Sequence, residues 1–188
     1  VRPGGLNVIA YQHDLYGRSQ VVAQNPVTGG TETQDAVSTV ATDQGQQITT
    51  GANAVKVTSA KLKGDGTSTN FTAYWYTDNS DAPGSLIATS TAITLPATTD
   101  TFTVSWATPV YLEPSTKYWM TWRAVTGTGN ISYINSTYSK GKTRYDAATQ
   151  AGVVFIFVIY SITESGVYWD SNAAADSGDQ ITLDTVIA

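Results

Sequence analysis

The chain has no cysteine and one histidine, His13. Without thiols there is no thiol nucleophile, no thiolate-held zinc or iron–sulfur centre and no disulfide framework. A lone imidazole also removes histidine-rich metal sites. Charge is scarce: Asp, Glu, Lys and Arg make up 13% of the residues, about half the usual share. The longest apolar run, Val153 to Tyr160, is far short of the ~20 residues of a membrane-spanning helix and reads as a strand buried on both faces. No charged stretch followed by an apolar one opens the chain, so any signal or leader is expected to have been removed already.

Catalytic signatures are missing too. Gly141-Lys142-Thr143 ends like a phosphate-binding loop, but Ser136 stands where the first glycine is required, so no backbone cradle forms. There is no Gly-x-Ser-x-Gly elbow. His13 reads as a surface residue rather than a member of a triad. A non-enzymatic protein is therefore expected.

What the chain does have is Thr, Ser, Ala, Gly and Asn, with five Trp and eleven Tyr among 188 residues. That is the makeup of an extracellular or virion-surface β protein. The net charge of −5 and the scatter of ten Lys and Arg argue against nucleic acid, which needs clustered cations. The length fits one domain, burying roughly 70% of its unfolded surface.

Residues 1–45 read as an N-terminal arm. Val8-Ile9-Ala10-Tyr11 and Gln20-Val21-Val22-Ala23 are strand-like, but Pro3, Pro26 and Gly29-Gly30 interrupt them. Extra edge strands of the same sandwich are the alternative. Residues 46–188 read as a β-sandwich domain. Strands are expected over Ala54–Lys63, Phe71–Tyr76, Ile87–Ile93, Phe102–Trp106, Val110–Leu112, Tyr118–Arg123, Ile131–Ile134, Val153–Ile162 and Gln180–Ile187, with turns at Gly64-Asp65-Gly66 and Pro83-Gly84. A single helical turn is expected at Asp146–Ala148. Eight or more short strands with no helical period predict an all-β, jelly-roll-like antiparallel sandwich.

Gln47-Ile48-Thr49-Thr50-Gly51, Val57 to Leu62, Tyr74 to Ser80, Ala82 to Ala88, Val110 to Leu112 and Ser115 to Met120 together resemble the choice-of-anchor R type domain. The likeness spans roughly residues 46 to 125. It implies a jelly roll similar to carbohydrate-binding modules, found in secreted bacterial and phage structural proteins, and it implies no catalytic residue.

Two candidate sites follow from residue type. Asp78-Asn79-Ser80-Asp81, with Asp65 and Asn70 near by, could offer calcium the hard oxygens it prefers, Asp78 and Asp81 first among them; a polar turn explains the same residues. Tyr74, Tyr76, Tyr133, Tyr138 and Trp169 could stack on a glycan. On Phe71–Tyr76, alternation puts Phe71, Ala73 and Trp75 on one face, leaving Tyr74 and Tyr76 for the surface. For assembly, Val8, Ile9, Tyr11, Val21 and Val22 are the apolar residues of the arm. The leading expectation is a structural subunit that joins neighbours, as a homo-oligomer or with other subunits, through its arm or terminal strands. A carbohydrate-binding module or adhesin is the alternative.

Overall fold

The computed structural model describes residues 19–25, 32–135, 141–145, 147–150, 154–162, 167–170 and 180–183. Fifteen strands run through them: β1 Ser19–Asn25, β2 Glu32–Ala36, β3 Gln44–Thr49, β4 Val55–Gly66, β5 Phe71–Asp78, β6 Pro83–Thr89, β7 Asp100–Leu112, β8 Lys117–Ala124, β9 Gly129–Ile134, β10 Thr143–Tyr145, β11 Ala148–Gln150, β12 Val154–Phe155, β13 Phe157–Ile162, β14 Val167–Asp170 and β15 Gln180–Leu183. No helix occurs among the described residues. β14 and β15 pair with each other and lie in a unit separate from Ser19–Ile162.

The pairing of β2 to β9 is nested. β2 pairs with β9, β3 with β8, β4 with β7 and β5 with β6, all antiparallel. Successive pairs fall in alternate sheets, giving β2-β9-β4-β7 in one and β3-β8-β5-β6 in the other. This is a jelly roll. β1, β12 and β13 enlarge the first sheet to seven strands; β10 and β11 enlarge the second to six.

Alternation fixes the core. Phe102, Val104 and Trp106 of β7 and Val57, Ala60 and Leu62 of β4 point inward from the seven-stranded sheet. Phe71, Ala73 and Trp75 of β5 and Tyr118, Met120 and Trp122 of β8 meet them from the six-stranded sheet. Three aromatic pairs bridge the layers: Phe71–Phe102 at 5.1 Å, Trp75–Trp106 at 5.9 Å and Trp122–Phe155 at 4.7 Å between ring centroids. Each adds about 0.5–1.5 kcal/mol beyond the area it buries.

Several expectations are corrected here. Residues 32–45 are part of the sandwich rather than an arm, because β2 supplies the outermost nested pair and Gln44 opens β3. β1 likewise lies along β13. The segment expected to turn at Gly64-Asp65-Gly66 stays in β4, where Gly64 and Gly66 pair with Ile131 and Gly129. Phe102–Trp106 and Val110–Leu112 are one strand, since Pro109 falls where the β4–β7 ladder already shifts register. Val153–Ile162 breaks at Ile156, whose N–H bonds to the Ser132 carbonyl and so divides β12 from β13. Where a helical turn was expected at Asp146–Ala148, β10 and β11 pair as a hairpin with Tyr145 opposite Ala148 and Ala147 at φ 58; Asp146 is outside the described residues.

Gly64 lies against the Asn130 carbonyl, closer than a Cβ would allow. Gly64→Ala should therefore push β4 from β9 and cost about 1–3 kcal/mol, read as a lower urea midpoint with an unchanged slope.

Candidate functional site

The outer face of the six-stranded sheet gathers the chemistry. Register puts Thr149, Arg144, Gly45, Thr121, Tyr74 and Thr89 in one row across β11, β10, β3, β8, β5 and β6. Two residues along lies a second row, Gln47, Trp119 and Tyr76. An outward face of a sandwich is ordinarily wet, yet Trp119 and Thr121 are both 0% exposed.

The loop after β5 explains part of this cover. Asp78 Oδ1 accepts hydrogen bonds from Trp119 Nε1 at 2.7 Å and from Gln47 Nε2 at 2.6 Å. Asp81 Oδ1 accepts from Gln47 Nε2 and from Lys117 Nζ, each at 3.1 Å, and its Oδ2 accepts from Lys142 Nζ at 2.6 Å. Thr149 Oγ1 donates to the Asp81 carbonyl at 2.7 Å. The loop between β5 and β6 thus reaches across the face of the sheet to Lys142, just before β10, and to Thr149 of β11. Hydrogen bonds from Lys142, Gln47 and Lys117 hold the Asp81 carboxyl far below the usual carboxylate range. Ser80 and Asp81 adopt left-handed φ of 53 and 66, a conformation that Asp tolerates better than most residues.

The oxygens considered for calcium are therefore committed to protein donors. A calcium ion at Asp78 and Asp81 would have to displace two ammonium groups, an indole and an amide. Among the described residues no three Asp, Glu, His or Cys side chains gather as a metal site. Asp65 accepts instead from Thr99, Asn130 and Gln34, which lower its pKa.

The aromatic candidates are dispersed. Tyr74 is only 6% exposed, and the Arg123 guanidinium lies over its ring at 5.5 Å. Tyr76 is half-buried, 6.2 Å from Tyr74, and burial, with the neighbouring Tyr74, raises its pKa. Tyr133 belongs to the interior, 6.3 Å from Phe155 and packed on the core. Tyr138 is outside the described residues; Trp169 lies on β14, far along the chain from this sheet. Of the assembly candidates, Val21 lies in register with Tyr160 and Val22 at the shift between Val21 and Ala23. Val8, Ile9 and Tyr11 are outside the described residues.

No family model, curated protein or solved structure matches the chain. The site therefore has to be read from its own residues. Thr121, Arg123 and Arg144 were not singled out by sequence; Gln47 and Trp119 entered only within the stretches of the resemblance, and Lys142 only in the phosphate-loop likeness that was set aside. The one available signal was Trp119-Met120-Thr121-Trp122-Arg123, a run apolar on both faces that ends in a cation.

Asp81 has a depressed folded pKa, so its contribution is complete above the unfolded value near 3.9 and is lost as pH falls toward the folded one. Asp81→Asn should accordingly lower the melting temperature at pH 7, and the gap to the parent should narrow steadily below about pH 4.

Proposed function

We propose that the protein is a non-enzymatic structural subunit of an extracellular or virion assembly, joined to its neighbours by strand addition. The observation that carries this reading is the position of β1. It lies outside the nested set β2 to β9 and is laid on the rim of the seven-stranded sheet, against β13, over Ser19↔Ile162 to Asn25↔Phe157. A strand held by main-chain hydrogen bonds at a sheet edge can be supplied by another copy with the same ladder, so exchange between copies costs little beyond the linker.

The low charge, the two-layered sandwich and the resemblance of residues 46 to 125 to choice-of-anchor R type domains support the same reading. The glycan-stacking alternative loses weight, because Tyr74 lies beneath Arg123 and Tyr133 packs inward.

Removal of residues 1–25 should leave the β13 edge open and abolish assembly in multi-angle light scattering, and a peptide of residues 1–25 added in trans should restore the missing ladder. A truncated chain with the mass of the full-length assembly would sink the proposal.

A further inference from the structure

We propose that Asp65-Gly66 is a site of backbone isomerisation to isoaspartate, which the folded chain holds shut and which becomes reactive when the corner between β4 and β9 opens. This goes beyond assembly and does not depend on it. Asp65-Gly66 is the chain's one Asp-Gly pair, and there is no Asn-Gly. A glycine after an aspartate leaves its amide nitrogen unshielded and its backbone free to turn, as attack on the preceding side chain requires.

The reaction needs no reagent but water. The Gly66 nitrogen bonds to Asp65 Cγ, and a carboxyl oxygen leaves as water with the amide proton and the acid proton. Water then reopens the succinimide. Cleavage of the nitrogen's bond to the main-chain carbonyl carbon frees that carbon as the new carboxylate and sends the chain through Cβ. The product has the parent's composition and one more backbone carbon.

In the fold both reacting groups are tied down. The Gly66 N–H donates to the Pro96 carbonyl at 2.8 Å, a bond that must break before the nitrogen can swing toward Cγ. Asp65 Oδ2 accepts from Gln34 Nε2 at 2.7 Å and from Thr99 Oγ1, while its Oδ1 accepts from Asn130 Nδ2 at 2.8 Å. Gln34 Nε2 also donates to Thr99 Oγ1 at 2.9 Å, so β2, β9 and the residue before β7 form one connected clamp. Three donors favour the charged carboxylate, whereas the protonated acid is the form that readily loses water. Gln34 and Thr99 are exposed, so the clamp borders solvent.

The same corner leaves the product no room. Asp65 stands between Gly64 and Gly66, and a Cβ on either would overlap the Asn130 or the Thr128 carbonyl. An added backbone carbon should therefore part β4 from β9.

The full chain, its variants and a synthetic peptide of residues 61–70 are held at mildly acidic pH and body temperature, and isoaspartate at position 65 is counted by electron-based fragmentation after proteolysis. Conversion should be about a hundredfold slower in the folded chain than in the peptide, since reaction waits on local opening. Thr99→Val and Asn130→Ala should each speed it about threefold or more, the loss of one clamp bond. Thr103→Val, on β7 and outside the clamp, should leave the rate unchanged. The isomerised chain, separated by ion exchange, should unfold at a lower urea midpoint. Conversion of the folded parent at the peptide's rate, or of both clamp variants at the parent's rate with their folds intact by amide spectra, overturns the proposal.

Discussion

The carboxylate of Asp81 is the node that ties distant parts of the six-stranded sheet together. It receives Gln47 from β3, Lys117 from β8 and Lys142 from the segment before β10, while its carbonyl receives Thr149 from β11. Exposed ion pairs are weak one at a time. Here several contacts converge on one residue whose left-handed backbone already aims it across the sheet, so they act together as a clasp. Beside it, Asp78 satisfies the indole of the buried Trp119.

This sheet is covered on both faces at its middle strand, β8, while β6 at its edge stays largely exposed. Its inner face meets the seven-stranded sheet through Phe71, Trp75 and Trp122. Its outer face buries Trp119, Thr121 and Tyr74. A strand buried on both sides has little room for charge, which accounts for β8 reading as Tyr118-Trp119-Met120-Thr121-Trp122 before its first guanidinium. The cost is visible in the unpartnered polar atoms. The indoles of Trp75, Trp106 and Trp122 lack hydrogen-bond partners, whereas Trp119, on the outer face, has one. Packing energy is the reason for the former; position under the clasp is the reason for the latter.

Much of the architecture was legible in the sequence. Phe71 to Ile87 reads as strand, loop and strand, and β5 and β6 pair as a hairpin around that loop. The alternation in Phe102–Trp106 gives the right inward residues. What sequence could not give was anything set by contacts between residues far apart in the chain. Alternation correctly put Tyr74 opposite Trp75, but opposite to the core is the surface only if nothing covers that face. Similarly, the oxygens of Asp78 and Asp81 look available to a cation until Lys142, distant in sequence, is brought to them. The pair Gly64 and Gly66 reads as a turn locally, yet serves the close approach of β4 to β9.

A sheet that buries Trp119 and Tyr74 on its outer face differs from an open stacking platform. All of this rests on the clasp. Hydrogen exchange at the Trp119 indole N–H, followed by NMR at neutral pH in the parent and in Asp81→Asn, tests it most directly. A slow, hydrogen-bonded indole proton in the parent that exchanges markedly faster in the variant is the predicted result. An indole proton that exchanges at the rate of an exposed tryptophan in the parent, or equally slowly in both proteins, would contradict the clasp.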